Sequence, residues 1–252
     1  MICDHEVTQS EYETYCRYSD STKVPSNTYG DDDNYPVYYV TWYDAIVYCN
    51  LRSMKEGLTP CYKLSNETDP ENWTYIQKDN STNPTKYCGP SPAVSSNDEW
   101  NGITCDFNAN GYRLPTEAEW ECAARGGIRE TDIDVWAGTT IGSELGDYAV
   151  YKDNTSKTSE VKQKQANGYG LYDMSGNVYE RCWDWYKDTQ YTDDNAGVTD
   201  PQGADSGSYR VLRGGSMESD AWRGRVSYRG SDSPGPGTRG NNIGFRLVRS
   251  AR

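Results

Sequence analysis

The chain has 252 residues, with 38 acidic and 25 basic side chains and a formal net charge of −13 at pH 7. An acidic surface of this kind repels a phosphate backbone, which argues against a general nucleic-acid or anionic-membrane binder. The single histidine, His5, lies near the N-terminus. It leaves almost no room for a histidine general base or for a site with two histidines and a carboxylate. Binding remains, together with chemistry performed by cysteine, carboxylate or tyrosine.

Large aromatic side chains take the place of aliphatic ones in the composition. The chain contains 8 Trp, 22 Tyr and 2 Phe, and hydrophobic residues make up only 35% of it. A buried tyrosine hydroxyl needs a hydrogen-bond partner, which suits a loop-rich fold with much polar surface. No apolar run approaches the roughly 18 to 20 residues that cross a bilayer, and no signal region follows Met1. We therefore expect a soluble chain or one whose export signal has been removed.

Eight cysteines occur, none of them in a Cys-x-x-Cys pair. With one histidine in the chain, a zinc site would need scattered thiols, and we expect none. Three cysteines on predicted helix faces are expected to be small buried core residues: Cys16, Cys49 and Cys122. Three others lie in or beside a polar insertion, where one disulfide bridge fits an exported chain: Cys61, Cys88 and Cys105.

Three predicted helices begin with the same signal, a threonine followed three residues later by a carboxylate. The pairs are Thr8 with Glu11, Thr41 with Asp44, and Thr116 with Glu119. In each pair the hydroxyl can accept an unpaired amide of the first turn while the carboxylate reaches back to the cap. The second helix is predicted to stop at Gly57 and the third at Gly126-Gly127.

Irregular structure is expected between these helices. Residues of about 58–110 form an insertion rich in Asn, Thr, Ser, Asp and Pro, with no helical period, and we predict loops with at most short strands. Strands are predicted near Tyr38 to Val40, Tyr209 to Leu212 and Gly244 to Val248. No linker divides the chain, so we expect one α+β domain over residues 1–252.

Six segments together resemble, in family order, the sulfatase-modifying-factor domain of the formylglycine-generating enzyme. They are Glu6–Tyr12, Tyr35–Ala45, Gly111–Gly127, Asn167–Glu180, Arg210–Ser216 and Asn242–Val248. The resemblance implies a variant of the C-type lectin fold, with short helices around a twisted antiparallel sheet and much irregular loop. Most matched residues are expected to be scaffold, with Arg113 and Arg125 in ion pairs and Phe245 in the core.

The resemblance to the enzyme breaks down where its chemistry is performed. The formylglycine-generating enzyme uses two cysteines after its Gly-Gly-Ser segment to hold copper and oxidise a substrate thiol. Here Met217–Arg229 contains no cysteine, and the last cysteine of the chain is Cys182. Relatives that use iron need histidines, which are also missing. We expect no catalysis; an oxidase-like or accessory enzyme with displaced thiols is the alternative.

The chain also resembles the variable proteins of diversity-generating retroelements, a different branch of the same fold. These proteins carry a hypervariable C-terminal segment between an Arg-Val-Leu-Arg-Gly-Gly-Ser-like segment and an Ile-Gly-Phe-Arg segment. Both brackets are present, at Arg210–Ser216 and Ile243–Arg246, which implies a variable segment at about 210–246. Mutagenesis in this family acts on adenine-bearing codons, chiefly those of asparagine, and Asn241 and Asn242 look like unmutated remnants.

The resemblance implies ligand contacts by Met217, Glu218, Ser219, Asp220, Trp222, Arg223, Gly224, Tyr228, Gly230, Ser231, Asp232, Ser233 and Gly240. The backbone would be held by Ala221, Arg225, Val226, Ser227 and Arg229. Trp222 and Tyr228 would supply rigid apolar area at small entropy cost, as in a paratope. Two alternatives stay open: a core position for Trp222, and a flexible polar loop at residues 230–241.

A structural calcium ion is the one cofactor that the resemblance implies. The enzyme family's Gly-Asn-x-Trp-Glu-Trp segment supplies oxygen ligands, and here it reads Gly176 to Arg181, which keeps Asn177 and Glu180 but replaces both tryptophans. Calcium takes about six to eight oxygens, so these two side chains would make a structural site at most. The alternative is an ion pair between Glu180 and a nearby arginine.

We expect a non-enzymatic, monomeric ligand-binding protein at a bacterial cell surface. Its partner would be an unidentified protein or cell-surface ligand, and it would need no cofactor, bind no nucleic acid and contain no membrane span. Anchoring, for example by lipid, would use a segment outside this chain. A lectin in the literal sense is disfavoured because the superfamily's Glu-Pro-Asn or Gln-Pro-Asp sugar motif is absent.

Overall fold

Short helices and short strands joined by long loops make up the computed structural model, which describes residues 1–90, 98–127, 135–191, 198–233 and 235–250. The α-helices of these residues are α1 (Gln9–Tyr15), α2 (Trp42–Lys55), α3 (Asp98–Asn101), α4 (Glu117–Arg125) and α5 (Leu145–Tyr148). The 3₁₀ helices include Pro70–Asn72, Gly142–Glu144 and Ala221–Gly224. Within the described residues, no helix is long and apolar enough to cross a bilayer.

The strands are brief, and most of them form small separate ladders. They are β1 (Tyr62–Lys63), β2 (Gln77–Asp79), β3 (Lys86–Cys88), β4 (Thr104–Cys105), β5 (Tyr112–Arg113), β6 (Tyr179–Trp185), β7 (Arg210–Arg213), β8 (Gly230–Ser231), β9 (Ile243–Gly244) and β10 (Val248–Arg249). Three two-stranded ladders pair β1 with β4, β2 with β3, and β5 with β10, all antiparallel.

One four-stranded sheet has the order β8-β7-β6-β9. β7 runs antiparallel to both β6 and β8, while β9 runs parallel to β6. β7 and β9 contain parts of the two sequence brackets predicted around the variable segment. Because these strands lie on either side of β6, the segment leaves the sheet on one side of this strand and returns on the other.

The predicted helix starts are confirmed. Thr8, Thr41 and Thr116 each accept the backbone N–H three residues later, and the carboxylate at that position accepts the N–H of the threonine. These capping boxes form because both partners lie within one turn of each other. The α4 helix ends at Gly126, whose φ of 55° is left-handed, as the glycine signal predicted.

The core has two main parts. The larger one surrounds α2, with Trp42, Ile46 and Phe245 fully buried. In the smaller one, Trp120 of α4 packs with Cys182 and Val211 of the central sheet. The predicted ion pairs beside α4 also form, since Arg113 binds both oxygens of Glu119 at 2.6 Å and Arg125 binds Glu121 at 2.7 Å.

Two of the three predicted strands are confirmed in outline. Residues 210–213 form β7, and the Gly244 to Val248 segment contributes to β9 and β10 around an irregular stretch. The prediction for Tyr38 to Val40 is wrong, because Tyr39 has a φ of 59°, which ends extended backbone. Of the predicted insertion at about 58–110, residues 91–97 lie outside the described residues. The rest has short strands as predicted, together with α3.

Two of the predictions about the cysteines are confirmed, and two are wrong. Cys16 and Cys49 are buried as predicted, but Cys122 is exposed, because it points away from the apolar face of α4. The bridge predicted among Cys61, Cys88 and Cys105 does not form, and all eight cysteines are free thiols. β1 and β4 pair in a register that places Cys105 opposite Tyr62 rather than a cysteine, and Cys88 lies in a different ladder.

Asp184 of β6 is a buried carboxyl group held by the N-terminus of α4. Its Oδ2 atom accepts the Glu117 backbone N–H at 2.7 Å, and its Oδ1 atom has no hydrogen-bond partner in the described part of the chain. Burial raises the pKa of Asp184 to about 7, and the nearby Glu117 carboxylate contributes in the same direction. The neutral form of Asp184 is therefore the one that the fold stabilises.

This pKa predicts a pH dependence of stability. Because the folded-state pKa exceeds the unfolded value of about 3.9, the stabilising contribution is fully present below about pH 4 and is lost as pH rises through about 7. We expect Tm to fall between about pH 5 and 8, and to fall less in Asp184→Asn, whose side chain stays neutral. Thermal melts by circular dichroism measure this. Asp33→Asn, at an exposed carboxylate, is the control; an unchanged slope in Asp184→Asn would contradict the assignment.

Candidate ligand-binding site

Two glycines at the end of β7 turn the chain into the stretch between the two sequence brackets, residues 217–242, which we call the bracketed segment. Gly214 and Gly215 have φ values of 89° and 74°, a region that favours glycine. A Cβ atom on Gly215 would lie 3.0 Å from the carbonyl oxygen of Arg223. The Met217 N–H then donates to the Asn177 carbonyl at 2.8 Å. The start of the segment is thus fixed by backbone geometry.

The inner side of the segment packs on the scaffold. Val226 is fully buried, and its N–H donates to the Val135 carbonyl at 3.0 Å. The Arg225 backbone bridges to Trp136, and Arg229 binds both oxygens of Glu117, at 2.7 and 2.8 Å. These contacts are those expected of residues that hold the backbone. Ser227, predicted with them, is exposed.

Four of the thirteen predicted contact residues are buried, so the expectation that they face solvent is wrong. They are Met217, Ser219, Gly224 and Asp232. The Ser219 hydroxyl donates to the Tyr179 hydroxyl at 3.2 Å, and the Gly224 carbonyl accepts from the Ser175 hydroxyl at 2.8 Å. Asp232 forms an ion pair with Arg181 of β6. Each of these polar groups has a partner inside the protein, which is the condition for burying it.

The exposed part of the segment centres on Trp222, Arg223 and Tyr228, which we call the aromatic–arginine cluster. The two rings meet edge to face, with centroids 5.1 Å apart and planes at 89°. The Arg223 guanidinium carbon lies 4.9 Å from the Trp222 ring centroid and 5.9 Å from that of Tyr228. Trp222 is 46% exposed, which answers the open question of its placement in favour of the surface.

Hydrogen bonds to Tyr179 of β6 support the aromatic–arginine cluster from below. Tyr179 bonds to Arg223, which raises the pKa of that guanidinium. Partial burial raises the pKa of the Tyr228 hydroxyl, and the neighbouring Tyr179 acts in the same direction. The cluster therefore presents two neutral rings and a firmly protonated cation. Rings and a guanidinium in this arrangement can bind apolar surface and an anionic or aromatic group at the same time.

Polar side chains surround the cluster. Glu218 accepts hydrogen bonds from the side-chain amides of Asn241 and Asn242, at 2.8 and 3.2 Å. Asp220 pairs with Lys152 at 2.8 Å, where both side chains are about half exposed. An exposed pair of this kind contributes little stability. Ser233 is exposed, while Gly230, Ser231 and Gly240 are partly buried; Pro234 lies outside the described residues.

The Asn177 and Glu180 pair does not fit a calcium site. Both Glu180 oxygens bind the Arg246 guanidinium, at 2.6 and 2.7 Å, and one also accepts from the Trp120 indole. The Asn177 side-chain oxygen accepts the Ser159 N–H at 3.0 Å. These side-chain oxygens are already used by protein donors, so the structure matches the alternative of a Glu180–arginine ion pair. Among the described residues, no group of three or more His, Cys, Asp or Glu is placed to hold a metal ion.

Cys182 is the last cysteine in the sequence, and it precedes the Gly214-Gly215-Ser216 segment, whereas the enzyme's two cysteines follow theirs. It lies in β6, fully buried, and burial raises its pKa well above the usual value for a thiol. A thiol in that state is a poor nucleophile and a poor ligand for copper. The segment after Gly214-Gly215-Ser216 contains no cysteine.

Sequence reasoning missed two residues that shape the site. They are Tyr179, whose hydroxyl lies beneath the exposed rings, and Arg181, the buried partner of Asp232. A charged residue within a strand of mostly buried residues was the available signal, since such a charge needs a counter-ion.

Similarity to known proteins shows the class to which the chain belongs. The chain matches the sequence profile of the sulfatase-modifying factor enzyme 1-like domain over residues 1–251, and it belongs to that family. The predicted fold class, an α+β C-type-lectin-like fold of the formylglycine-generating-enzyme subtype, is confirmed.

Three relatives define its place in the family. Treponema denticola variable protein 1 has a solved structure with a TM-score of 0.74 and 37% identity, over 96% of this chain and 81% of that one. Chaperone protein LppX of Paenibacillus barcinonensis is 35% identical over 90% of this chain and 73% of its own length. The formylglycine-generating enzyme of Streptomyces coelicolor is 37% identical over 60% of this chain and 51% of the enzyme. The predicted resemblance to a variable protein on this scaffold is confirmed.

We predict that the cluster and the buried residues of the same segment differ in their effect on stability. Replacing both Trp222 and Tyr228 by alanine removes a half-exposed ring and a partly buried one, and should lower the free energy of unfolding by less than about 1.5 kcal/mol. Met217→Ala empties a buried position in the same segment and should lower it by about 2–5 kcal/mol. Denaturant titrations measure both. A greater loss in the Trp222 and Tyr228 double variant than in Met217→Ala would place the rings in the core.

The Glu180–Arg246 pair gives a second prediction. Since its oxygens are already paired, we expect EGTA to leave Tm unchanged. Glu180→Gln should lower the free energy of unfolding by about 3–5 kcal/mol, because it leaves a buried guanidinium without its counter-ion. Differential scanning calorimetry with and without chelator tests the first half, and added Ca²⁺ serves as the reverse control. A drop of several degrees on chelation would show that calcium is bound.

Proposed function

We propose that this protein is a non-enzymatic ligand-binding protein whose recognition surface is the exposed part of the segment at residues 217–241, diversified by a retroelement. The observation that carries the proposal is the aromatic–arginine cluster, exposed on a segment whose two ends are fixed on either side of β6. Among the predicted contact residues, Glu218, Asp220, Trp222, Arg223 and Ser233 are exposed, and Tyr228, Gly230, Ser231 and Gly240 are partly buried beside them.

The chemistry of these side chains supports recognition. Trp and Tyr contribute much contact area for few rotatable bonds, while Arg adds directional hydrogen bonds, and these three types dominate binding hot spots. The serine, glycine and acidic residues around them supply adaptable polar contacts, as in antibody paratopes. The surface is held from below by Tyr179 and Val226, so little ordering is needed when a ligand binds.

The similarity to Treponema denticola variable protein 1 supports the same assignment. The alternative, an oxidase or accessory enzyme like the formylglycine-generating enzyme, has the similarity to the Streptomyces coelicolor enzyme in its favour. However, this chain has no cysteine in the segment after Gly214-Gly215-Ser216. In the enzyme, as the resemblance implies, both copper-binding cysteines follow the corresponding Gly-Gly-Ser segment. Soft thiolates are the ligands that select Cu(I), so binding is the better supported function.

The proposal extends to location and partner. We place the protein on the bacterial cell surface as a monomer, with a protein or other cell-surface ligand as its partner. Accessibility of the chain to antibody on intact cells tests the location. Labelling only after lysis would place the protein inside the cell.

The flanking DNA is the decisive test of diversification. We expect a near copy of the stretch that encodes residues 210–246, beside a reverse transcriptase gene. Differences between the two copies, and between isolates, should fall at adenine-bearing codons of the exposed residues. An unchanged segment in all isolates, with no second copy, would contradict the proposal. The enzymatic alternative is tested by copper-dependent turnover of a cysteine peptide, with the Streptomyces coelicolor enzyme as the positive control; turnover here would revive it.

A further inference from the structure

A buried ion pair joins the middle of the bracketed segment to the central sheet. Nη1 of Arg181, in β6, lies 2.9 Å from Oδ2 of Asp232, and neither side chain has any solvent exposure. Asp232 directly follows β8, at the point where the segment leaves the sheet. Two charges are taken wholly out of water here, so their contacts decide whether the arrangement is stable.

Asp232 uses both carboxylate oxygens. While Oδ2 faces Arg181, Oδ1 accepts the Arg210 backbone N–H at 2.6 Å. The Asp232 N–H donates in turn to the Arg210 carbonyl at 3.1 Å. These bonds continue the pairing of β7 with β8 by one residue, so the carboxylate sets where the segment turns away.

The chain that follows wraps around the same pair. The Asp232 carbonyl accepts the Gly235 N–H and the Thr238 hydroxyl, both at 2.8 Å. Nη2 of Arg181 donates to the carbonyls of Thr238, at 2.6 Å, and Val40, at 3.2 Å. One guanidinium therefore binds the start of this stretch, its end and the neighbouring scaffold.

Two further backbone bonds place this stretch on the scaffold. The Trp42 N–H, at the start of α2, donates to the Pro236 carbonyl at 3.0 Å. The Tyr39 N–H donates to the Gly240 carbonyl at 2.9 Å. Beyond Gly240, Asn241 reaches Glu218 at the other end of the segment. Residues 232–233 and 235–240 thus form one edge of the recognition surface.

We propose that Arg181 and Asp232 are the positioning residues of the recognition surface, which fix the path of residues 232–233 and 235–240 independently of the exposed side chains. Asp232 is then a fixed position inside a segment whose exposed residues can differ. This inference rests on the proposed function for its meaning, but it concerns the chain's own backbone.

The chemistry of the pair suits such a role. An apolar pair would stabilise the interior as well or better, but a buried charge accepts only a partner in the right place, and this specificity is the role that we assign to the pair. Arg181 replaces a tryptophan of the family's Gly-Asn-x-Trp-Glu-Trp motif, and its counter-ion comes from the segment that the scaffold has to hold. The exposed cluster shares no side-chain contact with the pair among those described.

Hydrogen exchange measured by mass spectrometry tests the proposal without a ligand. In Asp232→Asn and in Arg181→Met, exchange of the amides in residues 235–240 should rise by about tenfold or more, because one charge is left unpaired. Exchange in the middle of α2 should stay within about threefold. Asp220→Asn, at the exposed carboxylate of the same segment, is the matched control and should change nothing in residues 235–240.

A second variant separates positioning from general packing. Replacing Trp222, Arg223 and Tyr228 together by alanine should leave exchange in residues 235–240 within about threefold of the wild type. An increase as large as that of Asp232→Asn would overturn the proposal, and so would an equal increase throughout α2. If Arg181→Met does not fold, Asp232→Asn alone decides between these outcomes. None of these readouts depends on diversification, so a failure of the proposed function would be seen separately, in the flanking DNA.

Discussion

The ion pair between Arg246 and Glu180 is the contact on which the rest of the fold depends. The guanidinium binds both carboxylate oxygens, at 2.6 and 2.7 Å, with neither side chain exposed. Its remaining donors reach the carbonyls of Cys3 and Tyr172, while Trp120 of α4 binds the same carboxylate. One buried pair thereby joins β6, α4 and both terminal regions. Arg246 follows β9, and just before β9 the Asn242 side chain donates to Glu218 near the start of the bracketed segment.

Buried arginines recur across the central sheet, and they explain how an acidic, aliphatic-poor chain forms an interior. Arg210 lies between the rings of Trp42 and Trp185, with its guanidinium carbon 3.8 and 3.4 Å from their centroids. Arg213 pairs with Glu117 at 3.3 Å and also with Glu121. Flat guanidinium groups stack on aromatic rings and bind carboxylates at their edges. Such contacts are directional, so they specify one arrangement of the strands. Contacts between aliphatic side chains are not directional and would allow several arrangements.

The bracketed segment combines two kinds of residue in one short stretch of sequence. Met217, Val226 and Asp232 face inward and fix the backbone, whereas Trp222 and Arg223 face solvent. The inward residues bond to β6, β7 and their neighbours, which belong to the scaffold. A surface that changes at its exposed positions can therefore keep its shape. This division fits the proposed binding function.

The sequence by itself determined the local features and the family. The capping boxes at Thr8, Thr41 and Thr116 were predictable because their partners lie three residues apart, and the six ordered motifs fixed the fold class and the brackets of the segment. Within the segment, the resemblance implied contact roles for Trp222, Ser219 and Asp232, but it left a core position open for Trp222 and misplaced the other two. Only the tertiary structure decided these positions. The partner of Asp232 is 51 residues away in sequence, and burial of a charge depends on whether folding brings its counter-ion to it.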